Sequence, residues 1–199
     1  DTLQVMCVEP LSHSTLVKRL PERKELEKEV EEVVAEVAEL RTAGQGAKLY
    51  HLRAGLEAEF CLFYHGYTRE QQTAAQEAQL PKSSPCPPPP LPKLTRLFSG
   101  LVRLLQSEVV LQALAVTLRR ATDTSGSRSR YVTEGQVHKA LYLLGLGLRE
   151  GQVEVEHCHW LEKARAAGVL ELVVRVAETS SLPQHVRGLA EWVVSGEQL

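Results

Sequence analysis

Apolar residues recur at steps of three and four over most of this chain, a period that predicts a mainly α protein. Between Leu11 and Leu20, Ser12 or Ser14 can cap a short helix whose apolar face is Leu16, Val17 and Leu20, and Pro21 stops it. The next helix is strongly amphipathic. Leu26, Val30, Val33, Val34, Val37 and Leu40 form one stripe, while Glu25, Glu27, Glu29, Glu31, Glu32, Glu36 and Glu39 form the other, and the helix is expected to end near Gly44. Lys48 to Leu52 and Phe60 to Tyr67 are apolar and aromatic enough to be the two strands of a small hairpin. Two short helices followed by a hairpin make a winged-helix-like unit. Its opening pattern (Leu3, Val5, Met6, Cys7, Val8) starts directly at Asp1, so we expect a partial unit whose first helix belongs to a longer chain.

Thr68 to Gln79 is rich in Gln, Ala and Glu and lacks Gly and Pro, which favours helix, but its apolar face is thin, so we expect an exposed or bridging element. Seven of the ten prolines then fall between Pro81 and Pro92, where missing N–H donors and fixed φ angles favour an extended polyproline spacer. Beyond it, Leu94 to Leu105 and Ser107 to Ala121 read as helices, the second apolar on nearly all sides and therefore central to a bundle. A loop from Thr122 to Arg130 follows, and Thr133 and Gln136 have the spacing of a capping box. That box opens a helix with Val137, Ala140, Leu141, Leu144 and Leu148 on one face, and Gly145 and Gly147 within it imply close packing against a neighbour. Val153 to Trp160 fits strand or loop equally, and two further helices are expected at Gly168 to Glu178 and Pro183 to Ser195. The expected organisation is a partial winged-helix unit with a bridging helix over 1–80, a proline-rich linker over 81–93, and a helical scaffold bundle of about five members over 94–199.

The 199 residues, 43% hydrophobic and 24% charged, suffice for one or two small cores. A formal charge of -2 gives no overall electrostatic case for a polyanion partner, because unspecific nucleic-acid affinity rests on clustered Lys and Arg. No apolar run reaches the roughly 18 residues that span a bilayer, and the first residues lack a signal-peptide pattern, so neither nucleic acid nor membrane is expected as a partner and the location is expected to be cytoplasmic or nuclear. Cys7, Cys61, Cys86 and Cys158 are scattered without a close pair, which fits separate reduced thiols better than a disulfide framework or paired zinc knuckles.

A winged helix raises the question of DNA, whose major groove takes the second helix of such a unit. Here seven Glu stand against one Lys, Lys28, between Glu25 and Glu39, a face that repels phosphate. His157, Cys158 and His159 are the only tight group of metal-ligand types, but zinc wants three or four ligands and no others are patterned around them. Cys61 with His65, and Cys7 with His13, lack an orienting third group, so buried cysteine is the better reading. Pro87 to Pro90 could meet an SH3 or WW groove, although a spacer explains them as well. Arg119, Arg120, Arg128 and Arg130 flank a loop whose charge needs no partner. No catalytic, cofactor-binding or metal residue is assigned.

The order of segments nevertheless carries a resemblance. LSHSTLVKRLPE from Leu11 to Glu22, FYH at Phe63 to His65 followed by EQQTAAQEAQ, the proline tract, QSEVVL from Gln106 to Leu111, and the helix from Thr133 to Glu150 resemble, in the same order, the UBR-box N-recognin E3 ubiquitin ligases of the N-degron pathway. The resemblance implies a winged-helix segment and a helical scaffold lying between the degron-binding domains and the RING. The Cys and His spacings of the UBR box, the ClpS-like pocket and the RING are absent here, so no site residue carries over. It further implies a RING-type ubiquitin transferase as the parent, zinc only in parts outside this chain, and the other domains of the same ligase as direct partners. The ubiquitin-conjugating enzyme and N-degron substrates would be met through those other parts. The competing reading is a stand-alone helical protein-interaction adaptor without catalytic activity.

Overall fold

The structure, a computed structural model, describes residues 2–19, 27–42, 44–79, 87–91, 99–123, 132–153 and 159–197. It is mainly α and falls into two compact units, Asp1–Ser83 and Ser84–Leu199.

The first unit runs α1 (Thr2–Val8), α2 (His13–Arg19), α3 (Glu27–Val37), β1 (Ala38–Thr42), β2 (Lys48–Leu52) and α4 (Arg69–Gln79). Leu11 bridges to Tyr50 through two backbone hydrogen bonds of 3.2 and 2.8 Å, adding a one-residue third strand to the β1–β2 hairpin. This helix, short strand, two helices, hairpin order is that of a winged helix. Its core is Val5, Met6, Leu11, Leu16, Val34 and Ala38, closed by Val30, Val37, Tyr50 and Leu52. Ser12 caps α2, accepting from Thr15 N at 3.3 Å.

The hairpin is not the one expected. Its strands are Ala38–Thr42 and Lys48–Leu52, paired antiparallel with Leu40 opposite Tyr50, and α3 stops at Val37. Leu40 continues the helical spacing only by coincidence, since it lies 52% exposed and contributes nothing to the core. Side-chain capping from Arg53 closes α3 where it ends, and a turn after β1 makes the hairpin. Arg53, just past β2, donates from Nε to Ala38 O (3.2 Å) and from its guanidinium to Ala35 O (2.8 Å), which satisfies carbonyls at the helix C-terminus with a cation. A short 3-10 turn, Gly44–Gly46, then reverses the chain, with Gly46 at φ 79°, a left-handed conformation that glycine adopts without cost.

The aromatic run from Phe60 to Tyr67, expected as a strand, instead doubles back in turns over α1. Its fixings are side chain to backbone, not a ladder. Gln4 donates to Glu59 O at 2.7 Å and accepts from Cys61 N at 2.8 Å, Tyr67 OH donates to Gln4 O, and Phe60 and Leu62 are buried. The helix expected to be exposed or bridging, α4, packs on α1 with Ala75 fully buried. Its thin apolar face suffices because small side chains let the two helices approach closely. Thr68 and Gln71 cap it reciprocally, at 2.8 and 3.2 Å.

In the second unit the described residues form a 3-10 segment, Ser99–Gln106, and the helices α5 (Glu108–Thr122), α6 (Glu134–Val153), α7 (Trp160–Ala166), α8 (Val169–Glu178) and α9 (Gln184–Glu197). Five α-helices are present, but their membership differs from expectation. The described part of the stretch expected as a first helix is the 3-10 segment, and α7 was not anticipated. Gly168, at φ 65°, follows the Ala167 cap of α7 in a left-handed conformation and is itself the N-cap of α8, which runs to Glu178 as expected. Of the ambiguous stretch from Val153 to Trp160, Val153 ends α6, residues 154–158 lie outside the described residues, and Trp160 begins α7.

The central helix is α6, which touches the 3-10 segment, α5, α7 and α9 and buries Val137, Ala140, Leu141, Leu144 and Leu148. The expectation that α5 is central is corrected: it packs one face on α8 and α6 through Leu111, Leu114, Ala115 and Leu118, while Val109 is 77% exposed. Apolar residues on all sides signalled burial, but valine and alanine on a helix surface need not be covered. The expected capping box is present, with Thr133 N donating to Gln136 Oε1 (2.8 Å) and Gln136 N to Thr133 Oγ1 (3.3 Å). The expected close packing at the glycines is present too. A Cβ on Gly147 would overlap the indole of Trp160, which is 1% exposed and donates from Nε1 to Leu105 O at 3.1 Å.

Two substitutions on α6 separate this packing from helix propensity. Gly147→Ala is expected to destabilise the second unit by about 1–3 kcal/mol through overpacking, whereas Gly135→Ala, which meets nothing within 4 Å, is expected to be neutral or stabilising by up to about 1 kcal/mol. Urea unfolding followed by circular dichroism measures both; equal effects would remove the indole contact from the explanation.

Candidate functional site

The cysteine and histidine pairs singled out in the sequence do not assemble into reactive groups. Cys7 is buried on α1, and His13 is exposed with its ring tilted against Tyr50, centroids 6.2 Å apart. Cys61 is half-buried with its backbone N–H on Gln4, and the His65 ring meets Tyr64 edge-on at 4.8 Å. Both thiols border Tyr67. Burial, and then the proximity of Cys7, Cys61 and Tyr64, holds its phenol protonated above its ordinary range, so its hydroxyl acts as a fixed donor to Gln4 O and not as an acid.

Among the described residues no group of three His, Cys, Asp or Glu is placed to hold a metal ion. His157 and Cys158 lie outside the described residues; His159 is exposed, with Nδ1 3.5 Å from Glu162 Oε2 on the first turn of α7. Arg119 and Arg120 are exposed on α5, and Arg128 and Arg130 lie outside the described residues. A cleft of about 670 Å³ between α3 and the hairpin is lined by His13, Glu31, Val34, Tyr50 and Arg53 among others, and supplies no nucleophile beside a base. On α3, Glu31, Glu32 and Glu36 all face solvent, and an acidic surface of that kind repels phosphate.

Sequence reasoning missed one polar cluster. His138 is 3% exposed on the central helix, its ring 5.1 Å from that of His185 on α9. His185 Nε2 in turn lies 3.1 Å from Glu134 Oε1, one turn before His138. Burial first, and the His185 charge second, lower the His138 pKa from 6.5 to about 4, which keeps the imidazole neutral. The available signal was position: His138 falls between Val137 and Leu141 on the face that is apolar at helical spacing. The cluster joins α6 to α9 and does no chemistry visible in its geometry.

The described residues thus form a winged helix and an α bundle, with an acidic face on α3. Residues 1–84 match the family model described as the E3 ubiquitin-protein ligase UBR1-like winged-helix domain, a span that ends beside the division between the two units at Ser83. The chain is similar to E3 ubiquitin-protein ligase UBR2 of Mus musculus, 31% identical over 164 residues that cover 79% of this chain and 9% of the relative. It is similar to E3 ubiquitin-protein ligase UBR1 of Drosophila melanogaster, 31% identical over 196 residues covering 93% of the chain and 11% of the relative. Homo sapiens E3 ubiquitin-protein ligase UBR1 is 29% identical over 163 residues, 78% of the chain and 9% of the relative. The chain belongs to this UBR family of N-recognin ligases, and it spans about a tenth of the length of the curated relatives it matches. No solved structure gives a significant match.

The buried histidine sets a pH dependence. A folded pKa near 4 against 6.5 means that the folded state binds fewer protons than the unfolded one, so its stabilising share is complete above pH 6.5 and is lost as pH falls to about 4. The expected loss is about 3 kcal/mol over that window. His138→Gln should remove this slope between pH 6.5 and 4 in urea unfolding of the second unit. A slope unchanged from that of the parent chain would show that His138 titrates normally.

Proposed function

We propose that this chain is a rigid connector in an E3 ubiquitin ligase that recognises N-degrons and ubiquitinates their bearers for degradation. The observation that carries the reading is the family match over most of the chain, to relatives named E3 ubiquitin-protein ligase, combined with the absence of a reactive constellation among the described residues. On this reading the segment lies between the degron-binding domains and the RING, and its work is geometric. Holding a bound substrate near the ubiquitin-loaded conjugating enzyme raises their effective concentration without any group of the connector touching the reacting atoms. Its direct partners are other domains of the same ligase, zinc sits in those domains, and the protein acts in the cytoplasm or nucleus. A stand-alone adaptor is not favoured, since the relatives are all ligases of which this chain spans only a small part.

The test belongs in the full-length protein. Leu141 is fully buried on the central helix, and Leu141→Ala should cost about 2–5 kcal/mol of local stability by opening a cavity. We expect slower ubiquitin transfer to an N-degron substrate with unchanged affinity for the degron peptide. Lost degron affinity with transfer unaffected would contradict the connector reading.

A further inference from the structure

The described part of the proline tract, residues 87–91, belongs to the second unit and lies against its central helix. Pro88 is buried, Pro87 and Pro89 are half-buried, and Pro90 is exposed. The floor beneath Pro88 is a missing side chain. A Cβ on Gly145 would stand 3.0 Å from Trp192 Cζ3 and 3.1 Å from both Cγ and Cδ of Pro88, so the proline ring and the indole share the space that this glycine leaves open. The next turn of α6 fixes both ends of the arrangement. Leu91 N donates to Glu150 Oε1 at 3.2 Å, and the Arg149 guanidinium lies over the Trp192 ring, 5.6 Å from its centroid.

These parts are the ones that recognition of a polyproline segment needs. Prolines lock φ and lower the entropy lost on docking, an aromatic face takes a pyrrolidine ring, and an acceptor takes the N–H of the residue that ends the run. We propose that Gly145, Trp192, Arg149 and Glu150 form a polyproline-binding groove on α6 and α9, filled in cis by residues 87–91, that accepts a proline-rich segment in trans when the cis segment is removed. The tract is then a ligand of its own domain and is not offered outward to an SH3 or WW domain. It fixes where the chain joins the second unit. The inference is independent of the ligase reading, because it concerns binding by the chain alone.

Direct titration with the peptide of residues 84–92, Cys86 replaced by Ser, tests it on the 199-residue chain by calorimetry. In one variant Pro87→Ser, Pro88→Ser, Pro89→Ser and Pro90→Ser are combined. A tethered segment has an effective concentration of order millimolar, so the parent chain should bind the peptide at least about tenfold more weakly than this variant. Adding Trp192→Ala to the variant should abolish binding. No binding by a variant that keeps its helical circular dichroism, or binding indifferent to Trp192→Ala, overturns the proposal. If the variant does not fold, Pro88→Ala in the chain alone decides: it weakens only the cis segment, with the groove and the peptide intact, and should raise affinity for the peptide several-fold over the parent chain, while an affinity equal to the parent's overturns the proposal.

Discussion

Trp160 enters α6 over Gly147, and the second unit is arranged around that fit. The indole is nearly inaccessible, so its N–H needs a protein acceptor, and Leu105 O at the end of the 3-10 segment supplies it. One side chain at the start of α7 thus joins the central helix to the segment that leads into α5. The approach is possible only because position 147 carries no Cβ. Gly196 on α9 repeats the device, its missing side chain making room for Leu148 with a would-be Cβ 2.6 Å from Leu148 Cδ2. Close helix approach bought with glycine gives a bundle that resists deformation, because each contact leaves no room for a second packing.

The winged unit is held by a different logic. Its hydrophobic core is small, and polar side chains do much of the joining. Gln4 ties α1 to the loop from Glu59 to Cys61, Tyr67 returns to the same residue, and Arg53 closes the end of α3. Net hydrogen-bond contributions of about 1 kcal/mol each are modest, but each of these bonds joins segments distant in sequence, so together they direct the path of the chain. The exposed acidic face of α3 leaves the usual groove-reading use of a winged helix without the charge it requires.

Much of this was legible in the sequence. The order of helices, the Thr133 and Gln136 capping box, the significance of Gly145 and Gly147, and the UBR family resemblance all followed from spacing or from collinear motifs. What failed did so for identifiable reasons. Leu40 matched a helical stripe while lying exposed on a strand, and the Phe60 to Tyr67 run had strand composition, yet its backbone partners are the side chain of Gln4 and local turns. The valines of α5 imitated a buried helix. In each case composition was local, but the deciding partner was distant or lay on the other side of a turn. His138 was overlooked because a histidine on an apolar face changes neither period nor motif.

The second unit is a stiff body organised on α6. Native-state hydrogen exchange on the 199-residue chain tests it most directly, because slow exchange reports the free energy needed to open each segment. Amides from Val137 to Leu148 are expected to exchange only through global unfolding of the unit, with the same urea dependence as unfolding itself. Exchange of those amides through low-energy local openings, while other helices remain protected, would contradict it.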